Sequence, residues 1–357
     1  MAIDEMSGKV QTVLGPISPG QLGITHTHDH LLMDTSGLYA APSRASDRGL
    51  YYAKVTPETV GELRHYGDSG ANLDDMRIID VSDAIEETLL FRQHGGNTIV
   101  DVTSLGIGRD PVGLARISRA TGVNVIMGSS YYIPLCHPPD MDSRSEDDLV
   151  EQIVGDLTEG VEGTGIKSGI IGEVGCVWPL TGNGLKVLRA SGRTQRLTGA
   201  PLSVHPGRDV KAPFDIVEVL SQVGADMAHT IIGHIERTLF DLEDLRRLAE
   251  TGCYIQWDLV GEERSHYPYN VNVAMPNDAT RMDQIDWLSS KGYGDKILVS
   301  HDIGFKRRRV KYGGHGYGYI LSHIVPRMRA RGFSEDAIHK ILVDNPREVL
   351  TFSQPTA

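Results

Sequence analysis

Eight short runs of β-branched and apolar residues, most of them followed by a longer amphipathic stretch, constrain the fold of this chain more than any other feature of its sequence. Strands that alternate with helices predict parallel β/α units. Eight such units close into a (β/α)8 barrel, or TIM barrel. We therefore expect an α/β protein of this barrel class. The predicted strands are Leu22–His28, Asn97–Thr103, Asn124–Ser130, Gly169–Val174, Pro201–His205, Thr230–His234, Tyr254–Asp258 and Ile297–His301.

Helix start signals lie between these runs. Ser82, Asp110 and Ser145 are N-cap residue types, and proline or acidic residues follow them in the first turn. A short helix from Asn345 is expected to close the barrel. Further helices are predicted over residues 209–223, 241–250, 280–290, 317–331 and 334–343.

One segment interrupts the alternation of strands and helices. Tyr39–Arg77, with its Pro, Gly, Ser and Tyr content, is too long for a simple loop, and we interpret it as an elaborated excursion between the first strand and the first helix. A length of 357 residues allows two domains. No internal repeat or linker divides the chain, so a single domain over residues 1–357 is the simpler prediction.

Net charge indicates which kinds of binding partner are disfavoured, and cysteine content indicates the cellular compartment. Forty-seven acidic against 35 basic residues give a net charge of −12, which disfavours nucleic acid and anionic membrane surfaces. The apolar runs fall short of the ~20 residues of a membrane-spanning helix, and the N-terminus shows no secretory pattern. Three cysteines without a CxxC pair fit a reducing compartment. We therefore expect a cytoplasmic protein with a small-molecule substrate, and a homodimer stays open.

The segment Thr25-His-Thr-His-Asp-His carries the strongest chemical signal. His26 and His28 are two residues apart, so on a strand their side chains project from one face and can bind one metal ion. A lone histidine is more often a hydrogen-bonded structural residue, but a pair at this spacing after an apolar strand favours a metal site. His30 follows the end of the predicted strand and is interpreted as structural.

Further ligand-type residues follow later strands, at the end where a barrel places its active site. Glu173 interrupts an apolar run, and a buried carboxylate needs a metal ion or a basic side chain beside it. One catalytic zinc uses three protein ligands, so six residues with one shared carboxylate indicate two ions. Nitrogen and carboxylate donors suit zinc, and also manganese, cobalt or iron. The predicted ligands are His26, His28, Glu173, His205, His234 and Asp302.

Other catalytic machinery is poorly represented in the sequence. There is no G-x-S-x-G motif of serine hydrolases, and neither a dinucleotide fingerprint nor a phosphate-binding loop is complete. Lys167 is an alternative bridging ligand, as a carbamylated lysine, although it lies at the entry of the fourth predicted strand.

Taken in order, these motifs resemble the phosphotriesterase family of the amidohydrolase superfamily, most closely its phosphotriesterase-related branch. The resemblance runs nearly end to end. It implies a distorted (β/α)8 barrel with a binuclear metal centre that hydrolyses esters, lactones, amides or phosphotriesters. The matching segments begin at Thr25 (THTHDHL), Ile166 (IKSGIIGEVGCVWPLT), Val204 (VHPGR), Gly233 (GHIERT), Ser300 (SHDI) and Lys311 (KYGGHGY).

The resemblance also implies roles for the ligand residues. His26, His28 and Asp302 match ligands of the inner ion, and His205 and His234 match ligands of the outer ion. Glu173 would bridge the two ions. Family members that hydrolyse phosphotriesters carry a carbamylated lysine there, so glutamate disfavours efficient organophosphate hydrolysis.

Two further residues have less specific predicted roles. Tyr132 is similar to a tyrosine that lactonase relatives place beside the metals, although a structural residue at the barrel rim is equally open. His301 has the opposite strand parity to Asp302, so it is expected to pack or to orient a neighbour.

The predicted activity is hydrolysis of a carbonyl compound by a metal-bridging hydroxide. Asp302 would accept the proton and return it to the leaving group. A carboxylic ester or lactone is the leading substrate class, and a small N-acyl amide or a phosphotriester is an alternative. A metal-containing binding protein without turnover is the alternative of another class.

A basic cluster after the eighth strand bears on the substrate. It could attract a carboxylate or sulfonate, or it could simply balance nearby acids. The cluster comprises Arg307, Arg308, Arg309 and Lys311.

Overall fold

The computed structural model describes residues 3–38, 42, 44–65, 72–263, 267, 270 and 272–356. Eight parallel strands form one sheet whose order follows the chain. Each lies within or close to its predicted run, so the predicted TIM barrel is confirmed. The strands are β1 Thr25–Asp29, β2 Thr98–Asp101, β3 Asn124–Ser129, β4 Ile170–Gly175, β5 Leu202–His205, β6 Thr230–Ile232, β7 Tyr254–Trp257 and β8 Ile297–Val299.

The sheet is nearly closed between its last and first strands. The backbone N–H of Asp302, just after β8, donates to the carbonyl oxygen of His28 at 3.1 Å. The N–H of His28 donates to the Ser300 hydroxyl at 3.0 Å. These bonds bring the end of β8 against the end of β1, where candidate ligands lie on both.

Eight helices follow the strands in turn. Asp110 and Ser145 cap two of them as predicted, accepting from the N–H groups of Gly113 and Asp148. No described helix is long and apolar enough to cross a bilayer. The helices are α1 Val81–Gln93, α2 Pro111–Thr121, α3 Glu146–Thr158, α4 Gly182–Thr198, α5 Ala212–Gln222, α6 Leu242–Ala249, α7 Asp278–Leu288 and α8 Val325–Ala330.

Helix α4 was not among the predicted helices. Its residues include three glycines, which lower intrinsic helix propensity. Its N-cap Thr181 makes no side-chain capping bond. Packing of a buried face against α3 therefore stabilises this helix.

The two predicted C-terminal helices are each interrupted. A π-helical turn, Ile320–Ile324, precedes α8, and another, Lys340–Asp344, separates helix Glu335–His339 from helix Asn345–Leu350. Proline stands at the second position of α8 and of the last helix. Since proline has no N–H to donate, the regular hydrogen-bond ladder cannot continue through these positions.

The segment between β1 and α1 contains short elements of its own, as the prediction of an excursion required. Met33–Asp34 pairs antiparallel with Arg77–Ile78, and the helices Arg48–Tyr52 and Val60–His65 lie between them. Residues 39–41, 43 and 66–71 of this segment lie outside the described ranges. A separate antiparallel hairpin, Val10–Thr12 with Gly15–Ile17, precedes β1.

Apolar side chains fill one end of the barrel. Val100, Ile126, Ile170, Ile231 and Leu298 come from five strands and are fully buried in one cluster. The helix Asn345–Leu350 packs against β1 and β8, as predicted for a closing helix. The polar residues are thereby left to the opposite end, where the strands terminate.

Candidate metal centre and active site

A cavity of about 150 Å³ opens at the carboxyl ends of the strands. Five of the six predicted ligands meet at or beneath its floor, and His30 joins them. Five residues of this group line the cavity. They are His30, Glu173, His205, His234 and Asp302.

The inner group of donors comes from both sides of the barrel seam. His30 Nε2 lies 3.1 Å from Asp302 Oδ1, and His28 Nε2 lies 3.6 Å from the same oxygen. Ligand atoms of all three residues lie within 4.8 Å of one another. Two imidazoles and a carboxylate at this spacing can hold one divalent ion.

The outer group is built on β4, β5 and the end of β6. His205 Nδ1 lies 2.9 Å from Glu173 Oε2 and 2.8 Å from His234 Nε2. Glu173 also faces the inner group, since its Oε1 is 3.5 Å from His30 Nε2 and its Oε2 is 3.5 Å from His28 Nε2. The carboxylate therefore lies between the two groups, as a bridging ligand would.

The structure does not bring His26 to this cluster, and the predicted pairing of His26 with His28 is wrong. The ring of His26 packs 4.6 Å from that of Phe91 on α1 and 5.0 Å from that of His301, measured between centroids. Pairing of β1 with β2 shifts register between His26 and Asp29. A bulge of this kind breaks the strict alternation of side chains, so His26 turns toward the helices while His28 and His30 enter the barrel.

The roles of His26 and His30 can be compared directly by replacing each with alanine. We expect His30→Ala to lower the metal content of the purified protein from about two ions per chain to one or fewer, because it removes a donor of the inner group. His26→Ala should retain both ions. Inductively coupled plasma mass spectrometry measures the content, and thermal melts check that both variants are folded. Metal loss in His26→Ala with retention in His30→Ala would restore the original pairing.

Hydrogen bonds around the cluster set which imidazole nitrogen faces it. The Thr103 hydroxyl donates to the Leu32 carbonyl at 3.0 Å, so it accepts a hydrogen bond from His30 Nδ1 at 2.9 Å. The other ring nitrogen, Nε2, therefore carries the lone pair that faces the cluster. Asp258 Oδ1 accepts from His234 Nδ1 at 2.7 Å, so that Nε2 of this histidine also faces the cluster. Asp258 ends the seventh predicted strand, and this position at the barrel mouth was the signal that could have identified it.

The loop after β8 holds the backbone of His30, which lies beyond the end of β1. The Tyr317 hydroxyl donates to the carbonyl oxygen of His30, and an Arg309 guanidinium N–H donates to that of Leu31, both at 2.6 Å. The position of this donor thus depends on tertiary contacts of the loop.

Electrostatics in the cluster favour a bound cation. Burial alone would raise the pKa of Glu173, but the imidazoles of His28 and His205 hold that pKa well below its usual range. Burial also opposes ionisation of Asp302, yet the adjacent imidazoles of His28 and His30 lower its pKa. Both carboxylates are therefore anionic and require positive charge. The buried Nε2 of His28 has no hydrogen-bond partner within the described ranges, as suits a nitrogen reserved for a metal ion.

The two histidines of the outer group have very different pKa values. Burial, with the nearby His234, lowers the pKa of His205 to about 3. For His234, burial also lowers the pKa, but the Asp258 carboxylate raises it to about 10. His205 is thus neutral at neutral pH, whereas His234 is protonated and would release its Nε2 proton on binding a divalent ion such as zinc.

Two residues of the cluster adopt a left-handed backbone conformation. φ is 51° at His234 and 52° at Asp302. This region is costly for most residues with a side chain, and such residues concentrate at functional sites. Here it turns both side chains toward the barrel axis directly after their strands.

The remaining single-residue predictions have different outcomes. Tyr132 lines the cavity with its ring 5.2 Å from that of His205. Lys167 lines a separate small cavity beside Met6 and Phe352, so it does not supply the bridging ligand. His301 is buried and bonds the Val260 carbonyl at 3.0 Å, in the packing role expected of it.

The basic cluster after β8 is largely neutralised. Arg307 pairs with Asp75, and Lys311 pairs with Asp83. Arg308 alone among the four lines the cavity; it donates to the Asp302 carbonyl at 2.7 Å and lies 3.3 Å from Glu262. This arrangement favours the interpretation that the cluster balances nearby acids.

Sequence reasoning missed two other arginines of the cavity wall. Arg208 and Arg237 each lie three residues after a candidate ligand, His205 and His234 respectively. The repeated spacing His-x-x-Arg after consecutive strands was the signal available. Arg208 Nε donates to the Tyr267 hydroxyl at 2.7 Å.

Fold and site together define a (β/α)8 barrel with candidate metal-binding groups at its mouth. The family model described as Phosphotriesterase family matches residues 8–350. The chain belongs to this family, and the prediction of a hydrolase of this family is confirmed.

Individual relatives extend this similarity over nearly the whole chain. A phosphotriesterase-related protein of Nematostella vectensis is 44% identical, with 97% of this chain and 99% of the relative covered. An N-acetyltaurine hydrolase of Xenopus tropicalis is 41% identical, with 98% and 100% covered. Among solved structures, a resiniferatoxin-binding protein from Rhodobacter sphaeroides is 35% identical, covers 98% of both chains and has a TM-score of 0.93.

Proposed function

We propose that this protein is a binuclear metal-dependent hydrolase that cleaves a small N-acyl amide. His28, His30 and Asp302 would hold the inner ion, and His205 and His234 the outer ion. Glu173 would bridge them. The observation that carries this proposal is the placement of Glu173 between the two groups of donors, within 3.5 Å of nitrogens in each. Zinc is the metal that this set of nitrogen and carboxylate donors suits best.

The choice of an amide rests on the relatives and on the cavity. Curated relatives from 38% to 41% identical over nearly their whole length are N-acetyltaurine hydrolases. N-Acetyltaurine joins a small acyl group to an amine that bears a sulfonate. A cavity of about 150 Å³ with arginines in its wall suits a compact anionic substrate.

Divalent ions in such a site supply Lewis acidity and lower the pKa of water. In net hydrolysis, water adds its oxygen to the acyl carbon, the C–N bond breaks, and the amine leaves with a proton. Asp302 suits proton transfer because it has the most exposed side chain of the six candidates, at 23%. Its Oδ1 faces His28 and His30, and Oδ2 is 3.9 Å from His234 Nδ1. We infer that Asp302 accepts the proton of water and returns it to the amine nitrogen.

The ester or lactone predicted from sequence would require less of Asp302, since an alkoxide leaves more readily than an amine anion. Tyr132 supports this second candidate by its position against His205 at the cavity wall. Burial keeps the Tyr132 hydroxyl protonated by raising its pKa well above the usual range, so it can donate a hydrogen bond to a carbonyl oxygen.

A substrate panel tests the proposal. Zinc-loaded protein is assayed with N-acetyltaurine, N-acetyl amino acids, γ- and δ-lactones, aryl acetates and a phosphotriester. We expect kcat/KM for N-acetyltaurine to exceed that for every ester and lactone by roughly tenfold or more, equivalent to about 1.4 kcal/mol of transition-state stabilisation. A preference for lactones would replace the amide proposal with the second candidate, and activity on none would favour the binding-protein alternative.

A further inference from the structure

Arg237 differs in its partners from Arg281, Arg307 and Arg308, which are also buried but pair with carboxylates. Among the described residues, buried Arg309 likewise bonds only neutral oxygens, but it does not line the cavity. The exposed fraction of Arg237 is 3%, and it lines the same cavity as the candidate ligands. Its guanidinium NH2 group contacts His205 Nε2 and the Pro206 carbonyl, each at 3.1 Å. NH1 lies 3.5 Å from the Thr238 hydroxyl. Within the described part of the chain these neighbouring groups are all neutral, and Arg237 forms no ion pair with a carboxylate.

Other buried arginines show what compensation looks like in this protein. Arg109 pairs with Asp156 at 2.8 Å, and Arg281 pairs with Asp278 at 2.7 Å. Arg308, in the same cavity wall, lies 3.3 Å from Glu262. A buried cation without a counter-charge is expensive in free energy. Arg237 is therefore placed to receive negative charge from something that enters the cavity.

A second positive charge, on Arg208, adds to the need for an anion at this wall of the cavity. Both guanidinium groups belong to the cavity wall, and both follow strands that provide the outer group of donors. An anion bound at Arg237 would lie beside His205, one of the donors of the outer group.

We propose that Arg237, assisted by Arg208, binds the sulfonate or carboxylate of the amine half of the substrate and selects N-acyl amines that carry such an anion. This inference rests on the proposed amide hydrolysis and names the group that the site recognises. A planar guanidinium presents paired N–H donors that match the oxygens of a sulfonate or carboxylate. Arg237 is thus a specificity-determining residue, distinct from the ligands that support the chemistry.

The test compares two substrates that differ in charge. N-Acetyltaurine carries the anion, and N-acetylethanolamine replaces the sulfonate group by a neutral hydroxyl. Arg237→Met keeps an unbranched side chain and removes the charge. We expect kcat/KM for N-acetyltaurine to fall roughly 10²-fold or more, while kcat/KM for N-acetylethanolamine changes by less than about threefold. Arg237→Lys should recover part of the loss, because it restores the charge without the planar donor pair.

Two controls separate recognition from support of the metal centre. Arg329→Met makes the same chemical change at a half-exposed position that pairs with Glu335, away from the site, and should leave both substrates unaffected. Metal content of Arg237→Met should equal that of the parent. Equal losses on both substrates would overturn the inference, since they would mean that Arg237 serves only to hold His205.

Binding of an inert anion tests the inference independently of turnover. Ethanesulfonate, titrated calorimetrically into the zinc-loaded protein, should bind the parent and lose at least about tenfold in affinity in Arg237→Met. If the parent cleaves neither amide, the proposed function fails and this titration alone decides the inference. Unchanged ethanesulfonate affinity in the variant would reject Arg237 as the anion site.

Discussion

Asp302→Asn should lower kcat for the best substrate by roughly 10²- to 10⁴-fold, the range typical of losing a positioned acid or base. The side-chain amide of asparagine accepts no proton at neutral pH. The variant therefore lacks the group that takes the proton from water and returns it to the leaving nitrogen of the substrate. The backbone should be undisturbed, because φ at Asp302 is 52° and asparagine tolerates this left-handed region as well as aspartate does. Steady-state kinetics with saturating zinc measures the change.

The control for this variant is Asp283→Asn, the same substitution in α7 at a side chain that is 66% exposed and pairs with Arg331. It should keep the parental kcat. Metal analysis of the Asp302→Asn sample shows how much of the loss reflects weaker ion binding. An unchanged kcat with both ions present would remove Asp302 from proton transfer.

Glu173→Gln should have the largest combined effect on metal content and activity. Its Oε1 faces His30 of the inner group, and its Oε2 faces His28 of the inner group and both histidines of the outer group. An amide at this position removes the negative charge that the two groups share and presents an N–H₂ group in place of one oxygen. We expect metal content to fall from about two ions per chain to one or fewer. We expect kcat/KM to fall by roughly 10³-fold or more, as when preorganised charge is lost from an active site.

Glu250→Gln, at an exposed position that pairs with Arg246, is the matched control and should bind both ions. Glu173→Asp adds a second comparison, because it retains the charge but shortens the reach. It should bind metal better than Glu173→Gln and still turn over slowly. If Glu173→Gln retained two ions and full activity, the bridging assignment would be wrong.

The barrel could be predicted because its strands are short, buried on both faces and separated by helix start signals such as Asp110 and Ser145. His205, His234 and Asp302 follow directly from this pattern, since each stands just past a predicted strand. Glu173 was recognisable as a carboxylate within an apolar run. These features are local in sequence, and the structure places all four side chains together.

Failures of prediction have equally specific causes. Period-two reasoning assigned His26 because it assumed an unbroken strand, whereas the register shift before Asp29 changes which side chains face the barrel interior. His30 was set aside because it lies beyond the strand, where tertiary contacts such as those with Thr103 and Tyr317 determine its position. Arg237 was missed because its signal, the His-x-x-Arg spacing, does not by itself place a side chain in a cavity wall. Helix α4 is stabilised by packing and not by its own propensity.

The hydrogen bonds from the loop after β8 to the backbone at His30 and Leu31 limit how this barrel can be re-engineered. Barrel enzymes are commonly altered by exchanging the loops that face the substrate, on the premise that strands keep the reaction centre constant. In this protein one such loop supplies Tyr317 and Arg309 to the His30–Leu31 backbone. A chimera that borrowed this loop from a relative would therefore inherit ion affinity along with substrate range, and both would need to be selected together.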